Sequence, residues 1–194
     1  TNRPTLADAM ISAVAAICPI DPASVIDGRP VDVPGIIRPV SDPLLREQWP
    51  EAIYLRHHHT TLSYTLESPS AIPLPLRIAA LRAAIETGGH RATFIQADSN
   101  LPYALKEAQP DICFNIAEGL GGDAREAHIP ALLELLKIPY TGSRVLTNAI
   151  ALDKTLTKRI WRDRRLPVAP FQEFLVGDES LRPELHFPLF VKPA

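Results

Sequence analysis

The run Asp111-Ile112-Cys113-Phe114-Asn115-Ile116-Ala117-Glu118-Gly119-Leu120-Gly121-Gly122 decides how this chain is read. Apolar residues at 112, 114 and 116, with Pro110 before them and glycines after, fit a short buried strand that enters a flexible loop. Gly119, Gly121 and Gly122 permit positive φ and let a backbone come close to a ligand. After the polar turn Asp123-Ala124-Arg125-Glu126, apolar residues at 129, 132, 133 and 136 predict a helix from Arg125 to Lys137. Strand, loop and helix in that order put a ligand at the carboxyl end of the strand, where open α/β sheets bind.

Outward from this centre the same alternation recurs. Ala52–Arg56 reads as the first core strand, and Leu74–Thr87 as a helix stopped by Gly88-Gly89. Ala92–Ile95 reads as a second strand, Leu101–Ala108 as a short helix, and Ile138–Ser143 as a fourth strand ending in a turn. Strands separated by helices of this length predict parallel pairing with right-handed crossovers. The expected fold class is therefore α/β, a Rossmann-like parallel sheet over residues 51–143.

The ends are different. Residues 5–18 have helical spacing, with Thr5 as cap, and between Pro19 and Pro50 seven prolines make long elements unlikely. Residues 1–50 are thus a helix and a proline-rich extension of unassigned role. Beyond 144 a helix is expected from about 153 to 165. Phe171–Val176 and Leu189–Lys192 look like two strands of a new sheet, cut off as it begins because two strands alone are not stable in water.

With a formal net charge of −2, the 194-residue chain has no field that draws it to nucleic acid or anionic lipid. The basic run Lys158-Arg159, Arg162, Arg164-Arg165 reads as a solvated helix face. No apolar run is long enough to span a membrane, Thr1–Pro4 is no secretory signal, and the two cysteines, Cys18 and Cys113, read as reduced thiols. A cytoplasmic protein is expected. His57-His58-His59 invites a metal, but neighbours on an extended chain alternate faces and do not converge. No metal ligand is assigned. A dinucleotide-dependent oxidoreductase needs Gly-x-Gly-x-x-Gly after the first strand, and Arg56–Thr60 has no glycine.

From Pro110 to the end the chain resembles the D-alanine–D-alanine ligase branch of the ATP-grasp superfamily. The resemblance is carried by Phe114-Asn115, Glu118–Gly122, Pro130–Leu136, Ile138–Ser143, Ala151–Lys154, Thr157-Lys158 and Phe187–Ala194. It implies that 51–143 is a pre-ATP-grasp domain and that 144–194 opens an incomplete ATP-grasp domain. It implies ATP and Mg2+ as cofactors, amino-acid-like substrates, and an amide or dipeptide bond made through an acyl-phosphate, as in peptidoglycan biosynthesis. A homodimer is a further implication. Lys154 and Lys192 match the lysines that contact nucleotide phosphates, a role suited to a compact ammonium charge. Taken alone, they read as a surface residue at a helix start and an edge-strand lysine.

The chain departs from the family in two places. Glu118 stands where the best-known ligases have a histidine, and Arg56–Tyr64 lacks the glycines and glutamate of their first loop. Ser68 and Pro69 resemble a variant branch that shares the Asn-Ile-Ala-Glu-Gly loop. Glu118 is then either the anion for a substrate ammonium or a structural acid paired with Arg125. Arg125, near a helix start, either receives a substrate carboxylate or joins a surface ion pair. The substrate-binding set is Glu118, Gly119, Gly121, Gly122 and Arg125. No catalytic residue is assigned; the metal ligands and phosphate-covering loop of such ligases lie in their C-terminal part, so this chain is expected not to turn over alone. The alternative is a non-catalytic Rossmann-like binding module that lost the ligase chemistry.

Overall fold

The computed structural model describes residues 5–38 and 51–192, with the side chains of residues 51 and 52 not described. Pro39, Pro43 and Pro50 of the proline-rich extension, Thr1–Pro4, and Pro193-Ala194 at the end of the last matching stretch lie outside the described residues. Helices dominate a mixed α/β architecture, in order α1 (Leu6–Ala15), β1 (Val25–Ile26), β2 (Arg29–Pro30), α2 (Glu51–His58), α3 (Leu74–Glu86), α4 (Leu101–Ala108), α5 (Arg125–Leu135), α6 (Val145–Leu152) and α7 (Lys154–Asp163). The chain divides into two compact units, Thr1–Phe94 and Ile95–Ala194.

In the first unit, α1 starts on the expected cap. The Thr5 hydroxyl accepts from Asp8 N–H while the Asp8 carboxylate accepts from Thr5 N–H, a reciprocal capping box. Arg38 then pairs with Asp8 at 3.2 Å and with Asp32. Antiparallel β1 and β2 form a minimal hairpin. Its turn, Asp27-Gly28, has both φ values positive (50° and 72°), as a right-twisted two-residue hairpin requires. Helix α3 packs on α1 and buries Ala80 and Ala84.

Residues 51–58 correct the expectation of a first strand. They form α2. A three-residue apolar run such as Ile53-Tyr54-Leu55 carries no decisive period, and flanking residues arbitrate. Here Ile53 is buried whereas Tyr54 and Leu55 are exposed. The Tyr54 ring lies 4.6 Å from that of His58, the one-turn contact that helical spacing provides. His57-His58-His59 therefore finishes a helix and its following turn rather than lining a strand end.

The second unit is built on Leu101, Leu105 and Leu133, packed by Ile95, Cys113, Ile129, Leu136 and Ile138, among others. These residues join α4 and α5 to the segments that carry Ile95, Cys113 and Ile138. The helices expected over 74–87, 101–108 and 125–137 are present within two residues. The expected helix at 153–165 is α7, preceded by α6, which the spacing did not reveal.

A ladder of four parallel strands is not formed among the described residues. It is represented by a single parallel bridge, Cys113 to Tyr140, in which Cys113 N–H donates to Pro139 O at 2.8 Å and Thr141 N–H to Cys113 O at 2.9 Å. Residues 92–95, 171–176 and 189–192 carry no strand pairing. The apolar side chains expected to be buried, Ile112, Phe114 and Ile116, are 57 %, 49 % and 65 % exposed. Their alternates Cys113, Asn115 and Ala117 face inward. A parallel sheet is normally covered on both faces; here one face is packed and the other is bare.

Candidate functional site

The loop after residue 116 is fixed by short polar ties. Asn115 N–H donates to Thr141 Oγ1 at 3.1 Å, and Ala117 N–H donates to the Asn115 side-chain oxygen at 3.2 Å. The first ties the loop's entry to the neighbouring segment 138–143; the second is an Asx-type turn that starts the change of direction.

The three loop glycines do different work. Gly119 has φ +75°, and a methyl group there would sit 2.4 Å from Arg125 O and 2.8 Å from Arg125 Cβ. Its close approach is to the chain's own helix start, not to open space. Gly122 has φ +93°, with only His128 Cε1 within 4 Å of an added methyl, and Gly121 meets nothing within that distance. Backbone accessible to a ligand is therefore at 121 and 122, while Gly119 closes the loop onto α5.

Glu118 is exposed and Arg125 half-buried. No ion pair joins them among the described residues, so the paired-acid reading of Glu118 is not what the geometry has. Arg125 is the first residue of α5, where helix N–H groups point outward toward anions.

Lys154 is the first residue of α7, and its side chain is exposed. Asp153 separates α6 from α7 by adopting an extended conformation, φ −83° and ψ 102°, and its carboxylate accepts from Leu156 N–H at 2.8 Å. Thr157 Oγ1 donates to Ile150 O at 2.7 Å, satisfying a carbonyl that the end of α6 leaves open. The Asp-Lys order thus stops one helix, caps the next and presents an ammonium at its first turn. Sequence reasoning put Asp153 inside the helix, although an aspartate at a helix start is a cap signal. Lys192 is exposed in a segment with no regular secondary structure. Lys158 lies 4.8 Å from the centre of the Phe171 ring, and Arg159 pairs with Glu173 at 2.8 Å, so part of the basic run packs against 171–173 instead of being wholly solvated.

Among the described residues, no three His, Cys, Asp or Glu side chains are grouped to hold a metal ion. Nor, among them, is any helix long and apolar enough to cross a membrane.

Comparison with known proteins adds what the geometry alone does not carry. No family model matches the chain, and no solved structure does. A D-alanine–D-alanine ligase of Aromatoleum aromaticum is 42 % identical over 118 residues, which covers 59 % of this chain and 37 % of that protein. One from Geotalea uraniireducens is 36 % identical over 118 residues, with 60 % and 37 % covered. The chain is similar to these D-alanine–D-alanine ligases over 118 residues. An uncharacterised protein, y4sG of Sinorhizobium fredii, is 35 % identical over 119 residues, with 57 % and 35 % covered. The chain spans about a third of the length of the curated relatives it matches.

Proposed function

We propose that this chain is the N-terminal part of an ATP-dependent carboxylate–amine ligase of the D-alanine–D-alanine ligase type. In that reaction a carboxylate oxygen takes the γ-phosphoryl group from ATP and ADP leaves. The amine nitrogen of a second substrate then attacks the acyl-phosphate carbon, and inorganic phosphate departs as the amide bond forms. The similarity to ligases at 36–42 % identity carries the reading.

Residues 51–143 make up the pre-ATP-grasp domain and 144–194 begin the ATP-grasp domain. In such a ligase, segments 111–116 and 138–143 belong to one parallel Rossmann-like sheet. The Cys113–Tyr140 bridge supports that sheet, and so does the uncovered face of Ile112, Phe114 and Ile116. The protein acts in the cytoplasm, where ATP is supplied.

Lys154 and Lys192 contact the nucleotide phosphates. Lys154 suits that role because an ammonium and the outward N–H groups of a helix start attract the same anion. Glu118 holds the ammonium of an amino-acid substrate and Arg125 its carboxylate, with the backbone of Gly121 and Gly122 beside it. Among the described residues no three His, Cys, Asp or Glu side chains are grouped to hold a metal ion, and no step here is assigned to Mg2+.

Lysine acylation read by mass spectrometry tests this. ATP is expected to slow modification of Lys154 and Lys192 while leaving Lys106 and Lys137 unchanged. Equal modification of all four lysines with and without millimolar ATP would overturn the phosphate roles.

A further inference from the structure

Glu134, next to last in α5, gathers two donors on one oxygen. The Tyr140 hydroxyl donates to Glu134 Oε1 at 2.8 Å, and Arg144 Nε donates to the same atom at 3.5 Å. Each donor marks a junction. Tyr140 is the residue that bridges to Cys113 on the segment feeding the glycine loop, and its neighbour Thr141 accepts from Asn115 N–H. Arg144 is the residue preceding the first turn of α6. Helix α6 packs on α5, and α7 packs on α6, with the Thr157–Ile150 hydrogen bond across the Asp153 break. A continuous set of contacts therefore runs from Glu134 to α6 and on to Lys154, while a second set runs from Tyr140 to the glycine loop.

We propose that Glu134 and Tyr140 are a positioning pair that sets where α6, and with it Lys154, stands relative to the loop at 115–122. This rests on the proposed phosphate role of Lys154. The Tyr140 hydroxyl is the stronger of the two donors by length. Arg144 contributes little, since its side chain is 84 % exposed and its contact is long. A tyrosine hydroxyl is a protonated donor at neutral pH, and burial, with the Glu134 hydrogen bond second, pushes the Tyr140 phenol further above its ordinary value. A pair of this kind adds little to overall stability, but small misplacements of a reacting group are felt strongly at a site.

The test uses the whole 194-residue chain and two readouts. The first is the ATP concentration that half-protects Lys154 from acylation. Tyr140→Phe is expected to raise it about three- to tenfold, the range of one lost hydrogen bond. Glu134→Gln, which keeps an oxygen for Tyr140, changes it less, and Arg144→Ala leaves it near wild type. The second is hydrogen exchange at the amides of Asn148 to Leu152, expected to quicken in Tyr140→Phe without change in far-ultraviolet dichroism. Wild-type protection that is unaltered in Tyr140→Phe overturns the pair, as does unaltered exchange. If ATP protects nothing even in the wild type while exchange still quickens, the phosphate role of Lys154 falls and the pair stands as what positions α6. Should Tyr140→Phe fail to fold, Glu134→Ala, which removes the acceptor, carries both readouts, and wild-type values for each overturn the proposal.

Discussion

Gly119 and Gly121 stand two residues apart in one loop, and an added methyl group meets a backbone carbonyl at the first and nothing at the second. Gly119→Ala combines a left-handed backbone with a clash against Arg125 O that no rotamer change relieves. Its expected cost is about 2–4 kcal/mol, the sum of the conformational and overpacking penalties. Gly121→Ala, whose φ is not in the left-handed region, is expected to stay within about 0.5 kcal/mol of wild type. Urea unfolding of the two variants checks this, and equal midpoints would show that the loop does not close on α5 as described. At this scale the sequence marked where the backbone turns left-handed, at Gly119 and Gly122, because glycine alone takes positive φ without a steric cost. It did not tell which glycine meets its own chain. That depends on how α5 begins, several residues further on. For the same reason Glu118 and Arg125 looked equally suited to pairing with each other and with a substrate.

Elements were legible in proportion to their length and punctuation. Helices α3, α4 and α5 carry several apolar repeats, with glycine, proline or a left-handed residue near their ends, and they formed where expected. Ile53-Tyr54-Leu55 is too short to have a period, so the contact between Tyr54 and His58 settled it as helix. The Asp27-Gly28 hairpin had a readable turn signal, passed over among the prolines around it. The strand at 112–116 alternates as a strand should, but pairing is a property of two segments, and the sequence of one does not supply the other. The turn at 175–179 has a property that composition alone does not disclose. N–H groups of Leu175, Val176 and Gly177 donate to the Glu179 carboxylate at 2.7, 3.1 and 2.9 Å. These bonds, Leu175 foremost, bring its carboxyl from 4.5 down to about 2. Because the folded value is the lower one, the carboxylate's stabilisation of the turn is complete above about pH 4.5 and fades as pH falls toward 2. Amide chemical shifts of residues 175–177 are expected to hold steady from pH 7 to 4 and to move together between 4 and 2. Glu179→Gln should abolish the shared transition; if the amides titrate near pH 4.5 in the wild type, the carboxylate is not held there.

For the molecule as a whole, the proposed ligase role calls for phosphoryl transfer. Such transfer relies on positioning and on neutralising charge that spreads over the phosphate oxygens. The chain offers two exposed lysines toward that end, one of them at a helix start, and a glycine loop with open backbone at 121 and 122. Its net charge of −2 supplies no compensating field. The described residues include no grouped carboxylates for a divalent ion, and the related ligases are almost three times as long as the stretch they share with this chain. Under the proposed ligase reading, binding and turnover are expected to separate. Incubated with ATP, magnesium and a panel of D- and L-amino acids, the chain is expected to release phosphate no faster than a control without protein, while ATP still shields Lys154 and Lys192. On that reading, extending the chain with further ligase polypeptide, as a longer protein or in trans, is the step expected to start turnover. It should also reduce the exposure of Phe114, which solvent-labelling of the aromatic ring reads directly. Steady phosphate release from a clean preparation of this chain, lost in Lys192→Ala, would show that catalysis needs less of the ligase than this division assigns to it.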